Sequence, residues 1–387
     1  MQYSLGAFFI ALAFLPWVNF GLTTLDTQPW SLIAATLFIF SVNRFQITKI
    51  SQFFLIAISM SLLLAIVLSF GSSLFLLFRG MASYLSFIVS FVGMYIYLKR
   101  YGIPIKLVIA LNTIWLLAAI PQLIVDPLIY EKIIQVRTTP NRGVNSLAAE
   151  PTFFALFLIF SSWILFLSTS FNPNKIIKFI IGANILSIIF IAQSAMGVVY
   201  LIIAALGVFV ALDGQKKTKF FLMLPIITPL IIIFAYHFLD SSRLVGLIKI
   251  ASDGLFIVVE RDASINGRVA HAVLPFFSSG ANLGIPGGLD SFGKEAEIIN
   301  NRLFDGYFYR NVGGNKIMSY LGAFFFELGL FAGILLISFI FYCIGVKNKP
   351  QIAQGLILCI FLVGAIPVNF ALVPLLLAIG LFQRKQV

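Results

Sequence analysis

The chain runs to 387 residues, of which 60% are hydrophobic and only 10% charged, and its mean hydropathy is +1.03. A soluble domain carries roughly a quarter charged residues, so the composition excludes an ordinary globular enzyme and marks an integral membrane protein. The formal net charge of +12 does not mark a nucleic-acid binder, because no basic run is interleaved with aromatics. The two cysteines, Cys343 and Cys359, both lie in apolar runs and have no disulfide or metal spacing, and His237 and His271 are the only histidines. That scarcity speaks against a metal site, and the absence of a phosphate-binding GxxxxGK[ST] loop or a dinucleotide fingerprint speaks against nucleotide hydrolysis.

Apolar segments of about 20 residues recur throughout, which predicts an all-α, polytopic bundle of membrane helices, since each helix satisfies its own backbone in lipid. In chain order the spans are expected near 4–20, 29–42, 52–70, 73–98, 103–125, 152–170, 175–192, 195–212, 220–239 and 318–346. The first has no basic n-region or clear cleavage site and reads as a retained helix. The last apolar stretch, 352–382, is too long for one straight span and is interrupted at Pro367-Val-Asn369. Two short helices there bring the total to about 12. The whole of 1–387 then forms one transmembrane domain.

Basic residues orient such a bundle. With the N-terminus cytoplasmic, the inner loops hold 14 basic residues against the single acid Asp213, and the outer segments hold 11 basic and 12 acidic residues. Both termini fall inside. Two polar segments fall outside, 126–150 and 240–317, the latter a large loop between the ninth and tenth spans. No internal repeat supports an inverted-repeat transporter.

The outer segment 126–150 ends in Arg137-Thr-Thr-Pro-Asn-Arg142-Gly-Val-Asn-Ser-Leu-Ala-Ala-Glu150-Pro151-Thr152, just before an apolar run. Proline suits the first position of a helix, so Glu150 is expected at its cap, facing the positive end of the dipole. Two guanidiniums beside a helix N-terminus make a site for a phosphate-bearing lipid; the alternative is a solvated loop before a capped helix. Glu150 either orients or deprotonates a sugar hydroxyl, or fixes Arg142.

Within 240–317, residues Gly246 to Val259 are apolar enough to lie flat in an interface. Ser264 to Phe277 reads as a short helix carrying Arg268 and His271 one turn apart, a guanidinium for phosphate beside an imidazole for proton transfer. Gly280 to Gly293 is a turn-laden loop. Arg310, flanked by Tyr307 and Tyr309, precedes the next span. These tyrosines either stack sugar rings or anchor the interface.

Two charges stand inside spans. Arg79 is ~9 Å and Glu327 ~14 Å from the outer ends of their helices at 1.5 Å per residue. Buried charges are costly and are paired or line a wet cavity, so either they form a salt bridge with each other, or Arg79 reaches the lipid diphosphate. Asp26, in the first outer loop, has no partner acid and ranks low.

In layout and in three short motifs the chain resembles the O-antigen polymerase family, within the wider group that includes O-antigen ligases. The motifs are Arg142-Gly143 followed by Glu150-Pro151-Thr152, Asn266-Gly-Arg268 in the large loop, and Ser319-Tyr-Leu-Gly-Ala-Phe-Phe-Phe-Glu327-Leu-Gly329-Leu-Phe-Ala-Gly333 after it. The resemblance implies a bacterial inner-membrane protein acting at the periplasmic face on undecaprenyl-diphosphate-linked oligosaccharides, as donor and acceptor. The growing glycan passes to the non-reducing end of a new lipid-linked repeat unit, without metal or other cofactor, and a chain-length regulator protein is a conceivable partner. The family's external arginines correspond to Arg142 and Arg268, with Arg137 and Arg310 as weaker matches. Ligases carry a histidine where this chain reads Asn311-Val-Gly-Gly-Asn315-Lys316, which favours polymerase over ligase and leaves the base open between Glu150 and His271. A ligase, or a lipid-linked oligosaccharide flippase without enzymatic activity, remains the rival reading.

Overall fold

The computed structural model describes residues 2–19, 27–42, 46–69, 73–137, 143–169, 173–211, 243–310 and 312–384. Their secondary structure is helices joined by loops, with no strand among the described residues and one isolated antiparallel bridge between Val18 and Ile134. The expected span 220–239 lies outside the described residues.

In chain order the apolar helices are α1 (Gln2–Ala13), α2 (Trp30–Ser41), α3 (Lys49–Leu68), α4 (Leu74–Tyr101), α5 (Ile105–Ile124), α6 (Pro151–Ser168), α7 (Lys175–Leu186, continued by a π turn at Ser187–Ala192) and α8 (Ala195–Ala211). The large polar segment forms four helices, α9 (Arg243–Asp253), α10 (Leu255–Arg261), α11 (Ala263–Ala281) and α12 (Phe292–Phe304). The chain closes with α13 (Tyr320–Glu327), α14 (Leu330–Ile344), α15 (Lys349–Val363) and α16 (Leu372–Arg384). Among the described residues five stretches, Lys49–Leu68, Leu74–Tyr101, Ile105–Ile124, Pro151–Ser168 and Lys175–Ala192, are long and apolar enough to cross a membrane.

Local chemistry sets the starts of these helices. Thr48, Ser73, Asn174 and Asn348 each accept a backbone N–H of the first turn, satisfying donors that the helix itself leaves open. Helix α6 is the central one: 72% of its apolar window is buried, against 33% for the other four long stretches. It packs on α5, α7, α8 and α16, and α16 also lies against α4 and α14. Inside this apolar packing a polar cluster ties three helices together. Asn112 of α5 and Asn184 of α7 exchange amide hydrogen bonds at 2.9 Å, and Ser161 of α6 donates to Asn112 at 2.5 Å. Polar groups buried in this way are tolerated because each finds a partner.

Two expectations need correction. The stretch 318–346 is not one helix: it breaks at Leu328-Gly329, where Gly329 has φ +90. Glu327 therefore ends a short helix rather than lying mid-span. Nor is the end of the 126–150 segment a solvated loop, since residues 143–149 are buried. Gln122 of α5 bonds both Asn145 and the Ser146 N–H, Ser146 donates to the Trp115 carbonyl, and the Val144 N–H reaches Ile191 O at 2.9 Å. The interruption of 352–382 is as expected, with 364–371 separating α15 from α16.

Candidate functional site

Glu150 occupies the N-cap of α6 with Pro151 at the first helical position. Its carboxylate meets Arg268 of α11, whose Nη2 donates to Glu150 Oε2 at 3.3 Å and to Thr152 Oγ1 at 3.0 Å. Thus the Arg268 guanidinium from the large segment sits directly at the α6 N-terminus. Arg142, the residue expected beside Glu150, lies outside the described residues, as does Asp26.

The motif Asn266-Gly267-Arg268 has a structural logic. Asn266 is fully buried, and its Oδ1 accepts the N–H groups of Tyr309 and Arg310 while its Nδ2 donates to Tyr307 O. Gly267 lets Arg310 come close, since a Cβ there would stand 3.1 Å from Arg310 O. Arg310 is thereby held against the turn of α11 that precedes Arg268. The tyrosine hydroxyls are engaged with α10: Tyr309 Oη donates to Glu260 O at 2.9 Å and Tyr307 Oη to Phe256 O at 3.2 Å. Both rings pin the loop to α10. His271 does not share the site. It is 2% exposed and packs against the Phe292 ring at 5.6 Å.

Arg137 leads from this site to a cavity of about 570 Å³. It is built where the N-terminal ends of α2 and α4, the segment after α5, the approach to α13 and the α15–α16 interruption converge. Arg79, Arg137 and Lys316 contribute positive charge to its lining, Asp290 and Glu327 contribute carboxyl groups, and Gln28, Gln135 and Asn369 contribute amides. Phe75, Phe78 and Leu32 form an apolar wall. Arg137 joins the two places, because its side chain lines the cavity while its N–H donates to Ala149 O at 2.7 Å, one residue from Glu150.

Arg79 and Glu327 line the same cavity, but each has its own partner. Arg79 Nη2 donates to Asp290 Oδ1 at 2.8 Å, and Glu327 accepts the Tyr84 hydroxyl at 2.5 Å. Asp290 arrives on the loop between α11 and α12, which is stitched into the α13–α14 break. Gly287 N–H donates to Phe326 O, Leu330 N–H to Gly284 O, and Leu289 N–H to Ser69 Oγ. Asp290 and Tyr84 carry no sequence signal of their own. The nearest hint is that Asp290 follows Gly287-Gly288 in a turn-rich loop, a place where backbone is bent to aim a side chain.

Lys316 responds to the surrounding charge. Burial by the cavity walls, and then the charges of Arg79 and Arg137, push its ammonium pKa below the ordinary lysine value, while Glu327 and Asp290 oppose the shift. Between the lowered value and the ordinary one only the unfolded chain holds this proton, so stability should rise with pH across that window. A bound anion favours the ammonium, so within that same window binding of inorganic pyrophosphate should draw a proton onto Lys316. Calorimetry in buffers of different ionisation heat should show the uptake in the wild type and lose it in Lys316→Met. Buffer-independent heats in both would remove Lys316 from the anion's neighbourhood.

Among the described residues no group of three His, Cys, Asp or Glu side chains is placed to hold a metal ion. No protein-family model, no curated protein and no solved structure matches this chain.

Proposed function

We propose that this chain is a polysaccharide polymerase of the O-antigen kind. It moves a growing glycan from undecaprenyl diphosphate to the non-reducing end of a new lipid-linked repeat unit. The observation that supports this best is the link, through Arg137, between the Arg268–Glu150 pair and a cavity that also holds Arg79 and Lys316. Preorganised cations of this kind stabilise charge as a diphosphate departs, and guanidiniums suit its oxygens. In this reading the bundle has about 12 membrane helices. It lies in a bacterial inner membrane with cytoplasmic termini, and the cavity opens to the periplasm.

A flippase is the second reading, because charges lining a cavity within the bundle are also what translocation of a lipid-linked sugar needs. A ligase would use the same donor with a different acceptor lipid. The test uses the purified protein in liposomes with lipid-diphosphate-linked repeat units and no other enzyme. A ladder of products resolved by size is the expected result. Unchanged substrate that has crossed the bilayer would favour the flippase. Transfer only when a lipid A-core acceptor is supplied would favour the ligase.

A further inference from the structure

The geometry points to Glu327 as the group that takes the proton from the acceptor hydroxyl, an assignment that rests on the glycosyl transfer proposed above. Four groups compete for this role. Asp290 also lines the cavity but is paired with Arg79 at 2.8 Å. Glu150 is committed to Arg268 at 3.3 Å. His271 is packed at 2% exposure against Phe292 and is not among the cavity's lining residues. Glu327 lines the cavity and is 8% exposed, so it faces the space an acceptor sugar would enter while bulk water is largely excluded.

Its orientation is set from two sides. The Tyr84 hydroxyl of α4 donates to Oε2 at 2.5 Å, and the Asp290 backbone also hydrogen-bonds to the carboxyl group. The break at Leu328-Gly329 places the carboxyl at a helix end, where the chain turns away from it. The titratable and charged groups around it are Tyr84 and Arg79 on α4, Tyr320 on its own helix, Asp290 from the α11–α12 loop and Lys316 from the approach to α13.

The step balances without a co-reactant. The acceptor oxygen forms a bond to the anomeric carbon of the donor as its proton passes to Glu327. The bond from that carbon to the diphosphate oxygen breaks, and its electron pair leaves with the lipid diphosphate beside Arg137 and Lys316. Glu327, now a carboxylic acid, returns the proton to water. Tyr84 does not touch the reacting atoms here; it is a positioning residue for the carboxylate.

The test uses the full chain in liposomes with the lipid-diphosphate donor and acceptor. Glu327→Gln keeps an acceptor for Tyr84 and removes the base. It should lower kcat by about 10²–10⁴-fold and leave KM for the donor within a few-fold. In Glu327→Ala, sodium azide should restore donor consumption, because azide attacks the anomeric carbon without needing a base and yields a glycosyl azide. Tyr84→Phe should lose less activity and shift the acidic limb of the pH profile. Wild-type kcat in Glu327→Gln would overturn the assignment. So would failure of azide to rescue a Glu327→Ala protein that still binds donor. A wild-type protein inactive toward every lipid-diphosphate donor would instead defeat the transferase reading on which the assignment rests.

Discussion

Arg268→Ala is expected to reduce polymer formation by about 10²–10³-fold, the usual consequence of removing one preorganised donor from a developing negative charge. Its stability cost should be small. The Arg268 and Glu150 side chains are 14% and 20% exposed, so loss of the pair leaves Glu150 with solvent and the α6 N-terminus for partners. Arg268→Lys discriminates between charge and shape. Nη2 of the guanidinium serves Glu150 and Thr152 together, contacts one ammonium nitrogen could also make, but a lysine is a point charge without the planar donor set that suits a diphosphate. The lysine variant should therefore recover only part of the lost rate. Glu150→Gln should loosen the hold on Arg268 and give a smaller loss than Arg268→Ala. The measurement is the initial rate of ladder formation, with thermal unfolding run on the same preparations. If Arg268→Ala polymerises at the wild-type rate and only its melting temperature falls, the pair is a structural clasp between α6 and α11.

The parts of this arrangement that a sequence can announce are those governed by local rules. The Glu150-Pro151 cap follows from proline's missing N–H. The helix carrying Arg268 and His271 follows from its residue pattern, and the interruption at Pro367-Val-Asn369 from an apolar run too long to be straight. The parts that stayed hidden depend on distant partners. Arg79 and Asp290 are 211 residues apart in the chain, and nothing local couples them. Charge depth alone suggests an Arg79–Glu327 pair; the fold instead inserts a loop that supplies a second acid. Asn145 and Ser146 look like loop residues because they are polar, yet Gln122 and the Trp115 carbonyl satisfy them inside the bundle. The α13–α14 break is invisible to periodicity because apolar residues flank it on both sides, and a single glycine in a membrane helix is unremarkable. His271 reads as an exposed helical residue until α12, with Phe292, is packed over it.

That break carries the second large expected effect. Gly329 adopts φ +90, and a Cβ there would stand 2.8 Å from Gly284 O and 3.0 Å from Pro286 Cδ. Gly329 also has ψ 164, so Gly329→Ala adds a backbone penalty of about 1–3 kcal/mol for a region that is essentially glycine-only to a collision with the α11–α12 loop. Backbone cannot give way as a flexible side chain does, so the loop must move. It carries Asp290, and its displacement would free Arg79 from the 2.8 Å contact and remove the Asp290 backbone from Glu327. Loss of both activity and stability is expected, with the melting temperature falling by roughly 1 °C per kcal/mol for a unit of this length. Asp290→Asn separates the two consequences. It leaves the loop seated and keeps an acceptor for Arg79 while removing the charge, so a variant that melts near the wild type but has altered pyrophosphate affinity would show that the carboxylate tunes the guanidinium. If Gly329→Ala instead folds and polymerises normally, the loop is not what holds Arg79 and Glu327 in place, and the cavity must owe its geometry to α4 and α13 alone.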